Sequence, residues 1–314
     1  MSLENKNGFI WMDGQMVPWA EAKVHCLSHT LHYGCGAFEG VRAYATPEGP
    51  MIFRLNEHTQ RLFNSAKILG MSIPYTEKEI IDAQKAVLAN NYLQSAYIRP
   101  LVYFGAEGLG LHSSQLSVHV LVAAWEWGAY LGEDNLKNGI KVCTSTLRRP
   151  HVESAFVKAK ATGHYINSVL AIQEAKRYGC DEALILDHQG FVSEGSAENF
   201  FMIRKGVIYT PDSATPLEGI TREAVCKIAQ DLGFKVHARN ITRDEVYIAD
   251  ELFFTGTAAE VTPIREVDGR IIGSGGRGPI TEQIQRTFLS VVRGELPRYA
   301  SWLTPVSVVE ELSV

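Results

Sequence analysis

The sequence predicts an α+β fold made of two α/β-type domains, a smaller one over residues 1–127 and a larger one over 140–314. Three observations predict it. Apolar, strand-type runs alternate with capped amphipathic segments in both halves. A chain of 314 residues has room for two hydrophobic cores. The stretch Gly128 to Gly139 is rich in Gly, Asp, Asn and Lys with little strand or helix periodicity, and reads as an inter-domain linker over 128–139.

Taken in order, Phe9–Met12 and Gln15–Val17 flank Asp13-Gly14, a hairpin signal, because that dipeptide accepts the positive φ angles of a two-residue turn. Val41–Tyr44 and Met51–Arg54 flank a Pro/Gly turn. Asn56 is expected to cap a helix that runs to about Leu69 and stops at Gly70. Thr76-Glu77-Lys78-Glu79 is a capping box for the next helix. Ala96–Phe104 and Leu116–Trp125 follow as strands. In the second half, Ile140–Thr144 begins with a strand, and a helix runs from about Gly163 to Tyr178 before Gly179. Hairpins fill Glu182 to Tyr209, with turns at Asp187–Gly190 and Arg204–Gly206. A helix from Thr221 ends at Gly233, and Thr242–Glu245 forms a second capping box. Strands at Leu252–Phe254 and Val261–Val267 precede a last amphipathic helix over Ile280–Val292.

Composition narrows the function. Hydrophobic content is 46%, charged content 21% and the formal net charge −5, so a nucleic-acid partner is not expected. No basic run or apolar span points to a membrane, and the N-terminus has no signal core, so a cytoplasmic location is expected. Cys26, Cys35, Cys143, Cys180 and Cys226 are scattered and odd in number, and read as reduced thiols. The glycines do not form G-x-G-x-x-G after a strand, nor a P-loop, and without metal-ligand spacing no metal is expected.

The chemistry-bearing residues form a recognisable set. Lys160, between Ala159 and Ala161 with Gly163 beyond, reads as a lysine able to form an imine, with Lys158 as its rival on the same strand face. Glu194, in an otherwise apolar hairpin, needs a cationic partner, and a protonated heterocyclic nitrogen would serve. Gly219-Ile220-Thr221 opens a helix whose free amides favour a phosphate, and Gly256-Thr257-Ala258 turns out of a strand with exposed amides. Arg61 could supply a counter-charge. Tyr97 and Arg99 share a strand face and could hold a carboxylate. The aromatics of Trp125–Tyr130 are either packing or the wall of an apolar pocket.

These segments, in this order, resemble the branched-chain aminotransferases, members of the fold-type IV pyridoxal 5'-phosphate enzymes. The most specific piece is Leu31 to Arg42, and the resemblance runs from Ile10–Gly14 past Gly256–Pro263. It implies the fold-type IV architecture with the cofactor at the domain interface. It implies transfer of the amino group of leucine, isoleucine or valine to 2-oxoglutarate, giving a branched-chain 2-oxo acid and glutamate. It selects Lys160 over Lys158 as the imine lysine, and sets Glu194 at the pyridine nitrogen and Tyr165 near the ring hydroxyl. Arg61, Gly219, Ile220, Thr221, Gly256 and Thr257 match phosphate and cofactor positions. Tyr97, with the Thr257 and Ala258 amides, matches the α-carboxylate site. Phe38, Trp127, Tyr130 and Tyr165 match the side-chain pocket, and Arg42, at the end of the Leu31–Arg42 segment, is a further substrate-binding candidate that the resemblance implies. Arg99 matches the residue that receives the distal carboxylate of glutamate. Tyr33 and Leu111 match positions that reach a neighbouring subunit, implying a homodimer or higher homo-oligomer. A D-amino acid aminotransferase or aminodeoxychorismate lyase shares the lysine, glutamate and phosphate loops, but Tyr33–Arg42 and Tyr97–Arg99 favour the branched-chain group. A cofactor carrier with a dead site is opposed by the intact set of residues.

Overall fold

The computed structural model describes residues 3, 6–128, 132–212 and 215–306, with the backbone alone for Glu133. The chain divides into two compact units. Unit 1 comprises Met1–Trp127, Ala159–Gly163 and Val292–Val314, and unit 2 comprises Gly128–Lys158 and His164–Val291.

In chain order, unit 1 contains β1 (Phe9–Met12), β2 (Gln15–Pro18), α1 (His29–Tyr33), β3 (Gly36–Phe38), β4 (Val41–Thr46), β5 (Gly49–Phe53), α2 (Leu55–Ile68), α3 (Glu77–Asn90), β6 (Ala96–Phe104) and β7 (Val118–Trp125). Unit 2 follows with α4 (Glu133–Asn138), β8 (Ile140–Arg148), α5 (Tyr165–Arg177), β9 (Glu182–Leu186), β10 (Val192–Gly195), β11 (Asn199–Arg204) and β12 (Val207–Thr210). It continues through α6 (Ile220–Asp231), β13 (Val236–Ala238), α7 (Arg243–Tyr247), β14 (Glu251–Gly256), β15 (Glu260–Val267), β16 (Arg270–Ile271) and α8 (Pro279–Val292). β17 (Leu303–Pro305) returns to unit 1.

The sheet of unit 1 has the order β17-β5-β4-β6-β7-β1-β2, with β3 pairing β6. The β1–β2 hairpin is closed by Asp13 at φ 44° and Gly14 at φ 89°, the two positive angles its dipeptide favours. Leu55 and Leu62 of α2, with Ile80, Val87 and Leu88 of α3, pack into one core with Ile98, Val102, Val120 and Val122 of the sheet. The Thr76 capping box is present: Glu79 N–H donates to Thr76 Oγ1 and Thr76 N–H to Glu79 Oε2. Asn56, expected as the cap of α2, lies inside the first turn. Arg54 holds that cap position in the left-handed region at φ 52°.

In unit 2 the order is β10-β9-β8-β15-β14-β11-β12-β13, and β10 also pairs β11. That extra pairing joins the two ends of a six-strand run, so β10, β9, β8, β15, β14 and β11 close on themselves. The enclosed core contains Ile140, Val142, Leu184, Phe200, Met202, Leu252, Phe254 and Ile264. Closure leaves no open sheet edge along these six strands. It occurs through the register pair Glu194↔Asn199, so a site residue sits at the closing point.

The structure corrects three expectations. Residues 133–138 are helical, between Gly132 and Gly139 at φ 86° and 80°, and belong to unit 2 rather than to a linker; 129–131 lie outside the described residues. The division at 127 does not hold for the whole chain. Residues 159–163 join unit 1 through the Ala37↔Ala161 bridge, and β17 joins it by pairing with β5. Lys158 and Lys160 are not on a strand: Lys158 lies in a turn and Lys160 in irregular chain beside that bridge. The reassignments of 159–163 and β17 come from pairings between segments far apart in sequence, which local periodicity cannot report.

Candidate active site

In unit 1, the segment bearing Lys160 is held by its backbone. Its N–H donates to Ser65 Oγ of α2 at 3.0 Å, and its carbonyl accepts from Phe38 N–H at 3.1 Å. Thr162 Oγ1 and Gly163 N–H both donate to the Gly34 carbonyl, at 2.6 and 2.9 Å. A Cβ on Gly34 would lie 3.0 Å from Gly163 Cα. The small residues around Lys160 therefore serve close backbone approach. Ala159 and Ala161 are 2% and 3% exposed. With its backbone fixed, Lys160 places its amine 5.0 Å from the centre of the Phe38 ring. Lys158 is engaged elsewhere, donating to the Pro216 carbonyl at 3.0 Å and lying 3.7 Å from Glu218.

Phe38 gathers a second cation. Arg99 stacks its guanidinium 4.7 Å from the same ring and 5.2 Å from that of Tyr97, and donates to the Tyr97 hydroxyl at 3.0 Å. Tyr97 and Arg99 thus do share a face of β6. The Arg99 Nε is buried without a hydrogen-bond partner among the described residues. Tyr97 fits because residue 40 is glycine: a Cβ there would stand 2.0 Å from the Tyr97 hydroxyl. Trp127 completes an aromatic wall, its ring 4.5 Å from that of Tyr97. Arg42 pairs with Tyr97 in the β4–β6 register and lies over the Tyr44 ring. Tyr130 lies outside the described residues. Tyr33 and Leu111 are surface residues, 45% and 89% exposed.

Arg61, expected as a counter-charge, is anchored to a carboxylate that no local motif marks. Its Nε and Nη2 donate to Glu39 at 2.6 and 2.9 Å, and His58 Nδ1 lies 2.8 Å from the same carboxylate. His58 and Arg61 stand three apart on α2 and so share a face, which was the available signal. Glu39 is fully buried. Burial alone would raise its carboxyl, but the Arg61 charge and the His58 ring outweigh it and hold the group well below the usual carboxylate range. Burial pushes the His58 ring down. Glu39→Gln should cost about 3–5 kcal/mol of stability near neutral pH, because it leaves Arg61 without its buried partner. A depressed carboxylate contributes stability that is present above its unfolded value and lost as pH falls through its folded value. The gap between wild type and Glu39→Gln should therefore close in acid, as read by thermal unfolding against pH.

In unit 2, Glu194 is 7% exposed and forms an ion pair with Arg149 Nε at 2.8 Å. Arg149 was absent from the sequence reading; it lies at the end of β8 with no motif around it. Leu217 N–H donates to Glu194 Oε2 at 3.2 Å, and Asn199 Nδ2 approaches the same oxygen at 3.4 Å. Asn199 also bonds the Leu217 carbonyl at 3.0 Å, tying Glu194 to the loop that leads into α6. Gly219 is the N-cap of α6, with no side-chain capping bond. A Cβ on Gly219 would lie 1.8 Å from Asn199 Oδ1, so only glycine fits. Ile220 and Thr221 in the first turn are buried. The first amides of α6 are thus left to an anion, the arrangement a phosphate fits. Gly256, Thr257 and Ala258 are half-buried where β14 ends, and Gly256 rests against the Ala197 carbonyl and the Glu198 side chain. Tyr165, half-buried, opens α5.

The amino-transferase class IV family matches residues 36–267, spanning both sets of residues. The chain belongs to that family. It is 56% identical over 306 residues to the branched-chain-amino-acid aminotransferase of Pseudomonas aeruginosa, covering 98% of this chain and 100% of that protein. Among class IV structures, a T.th. branched-chain amino acid aminotransferase with pyridoxamine 5'-phosphate superposes with a TM-score of 0.94 at 50% identity, over 96% of this chain and 99% of the other. The same enzyme complexed with N-(5'-phosphopyridoxyl)-L-glutamate gives 0.92 at 48% identity, again over 96% and 99%. Membership in the branched-chain group supports the two-domain fold-type IV reading. Among the described residues of this aminotransferase, no helix is long and apolar enough to cross a membrane, and no group of His, Cys, Asp and Glu could hold a metal.

Proposed function

We infer that the chain is a pyridoxal 5'-phosphate-dependent transaminase that moves the amino group of leucine, isoleucine or valine to 2-oxoglutarate, reversibly. The observation that carries this is the Phe38 ring flanked by Lys160 and Arg99: a reactive amine and a carboxylate-binding guanidinium held on one aromatic surface. The P. aeruginosa relative bears the branched-chain name, and the T.th. structures hold a pyridoxamine phosphate and a phosphopyridoxyl-glutamate.

Bound pyridoxal phosphate would supply an electron-withdrawing ring that accepts the electrons left when the substrate's α-proton departs. Lys160 Nζ is the residue that holds the cofactor and then, once displaced, takes and returns that proton as general base and acid. The Glu194 carboxylate would meet the ring nitrogen and favour its protonated form. Gly219, Ile220, Thr221, Gly256, Thr257 and Arg61 hold the phosphate, and Tyr165 the ring hydroxyl. Tyr97, with the Thr257 and Ala258 amides, takes the α-carboxylate. Phe38 and Trp127 exclude water around an aliphatic side chain, while Arg99 meets the distal carboxylate of glutamate. A hydrophobic wall with one guanidinium at its edge lets a single pocket accept both side-chain types.

The working form we propose is a homodimer. Leu31, Tyr33, Leu109 and Leu111 of unit 1 are 63%, 45%, 52% and 89% exposed, and Ile166, Val169 and Leu170 line an exposed face of α5. Apolar groups in such number suit an interface with a second copy. Sedimentation of the purified protein tests this.

Glu194→Gln keeps shape and removes charge. Single-turnover amino transfer should slow about tenfold, the lower end of a charged hydrogen bond's worth, and more than cofactor affinity weakens. Stopped-flow absorption with leucine, beside a cofactor titration, checks it; an unchanged transfer rate would remove Glu194 from the ring nitrogen. The function itself is tested by supplying a panel of L- and D-amino donors with 2-oxoglutarate and assaying for glutamate of defined chirality.

A further inference from the structure

The loop Gly195-Ser196-Ala197, which follows Glu194, has its polar backbone atoms satisfied by buried charged side chains. Arg149 Nη2 donates to the Gly195 and Ser196 carbonyls, both at 2.8 Å. Ser196 N–H donates to Glu182 Oε1 at 3.2 Å, and Ala197 N–H to Glu198 Oε2 at 2.9 Å. Glu182 and Glu198 are 0% and 3% exposed. A Cβ on Gly195 would stand 2.9 Å from Glu198 Oε2, so glycine admits that carboxyl beneath the loop. Arg149 thus holds Glu194 and the carbonyls of a loop whose N–H groups are taken by Glu182 and Glu198.

We propose that Glu182 and Glu198 are positioning residues that act through Arg149: they keep at least one proton between them through the neutral range, so that Arg149 stays on Glu194. This rests on the reading of Glu194 as the partner of the ring nitrogen. With both groups ionised, two buried anions would sit under the loop that Arg149 holds and compete with Glu194 for its charge. The donors decide which carboxyl keeps the proton. Glu182 accepts two backbone N–H bonds, from Ala183 at 2.6 Å and from Ser196, whereas Glu198 accepts one. Charge therefore settles on Glu182 and the proton on Glu198. Glu182 Oε2 is buried with no hydrogen-bond partner among the described residues.

The charged groups around the pair agree. Arg149 at the end of β8, Lys176 of α5 and Glu194 of β10 act on it. Ser168 of α5 and Phe254 of β14 add only neutral surfaces. Burial pushes Glu182 up to about 7, with its backbone donors and Lys176 opposing. Burial, then the charge of Glu182, pushes Glu198 well above the usual carboxylate range.

A group raised in the folded state contributes stability that is lost as pH rises, here for Glu182 between 4.5 and about 7. Thermal unfolding of cofactor-free protein against pH should show that loss in wild type. Glu182→Gln should remove about one proton of slope up to about 7, whereas Glu198→Gln should remove about one proton of slope that begins in the same range and continues above it. If Glu182→Gln does not fold, Glu198→Gln alone carries the test. In the cofactor-loaded protein, the pH at which the cofactor's visible absorption changes should move in these variants. Identical slopes in all three proteins would overturn the shared proton. Slopes as expected with an unmoved absorption titration would overturn the link to Glu194. The cofactor-free measurement reads the pair by itself, so its failure is distinct from failure of the transaminase reading.

Discussion

Lys160→Ala should abolish transamination, with turnover falling by at least the 10²–10⁴-fold that a positioned acid–base group contributes. The rival Lys158 is engaged by Glu218 and the Pro216 carbonyl. The backbone of residue 160 is held by Ser65 and Phe38 whatever its side chain, so the variant should fold and unfold like wild type. Its loss is then chemical. Borohydride reduction of the loaded wild type should fix the cofactor to the protein permanently, and peptide mapping should find it on Lys160. An adduct on Lys158, or a Lys160→Ala protein that still turns over, would sink the assignment.

Arg99→Ala should split the two half-reactions. The contact proposed for Arg99 is with the distal carboxylate of glutamate, which leucine and valine lack. Losing a charge-assisted hydrogen bond costs roughly 1.5–3 kcal/mol, or about 10- to 150-fold. The glutamate and 2-oxoglutarate half-reaction should fall by that factor, and the leucine half-reaction far less. A purely structural role predicts equal losses with a lower unfolding temperature. The structure weighs against an ion-pair role: the contacts of Arg99 are the Tyr97 hydroxyl and the Phe38 and Tyr97 rings, with Nε left unsatisfied among the described residues. Single-turnover spectroscopy with each substrate separates the outcomes, and equal losses would take Arg99 out of the substrate pocket.

Much of the fold was legible because its signals are local. Asp13-Gly14, the Thr76 and Thr242 capping boxes, and the glycines after α2, α5 and α6 each act within a few residues, and each stands where the pattern put it. The candidate residues Lys160, Glu194 and Gly219 were legible for a related reason. Each sits in a short run whose residue types suit one chemistry, and the order of the runs resembles a family.

What the sequence determined by itself is therefore which groups are present and which turns and caps present them. Tertiary structure decided what each charged group faces. Glu39 collects Arg61 and His58 from a helix sixteen or more residues downstream, and Arg149, bonded to Leu186 at the end of β9, reaches Glu194 on β10, the strand on the other side of β9. It also decided that residues 159–163 and β17 belong to unit 1. Such pairings join segments whose spacing carries no periodic signal. A buried charge finds its partner by geometry, since desolvation makes an unpaired one too costly, and no local pattern records which distant side chain will meet it.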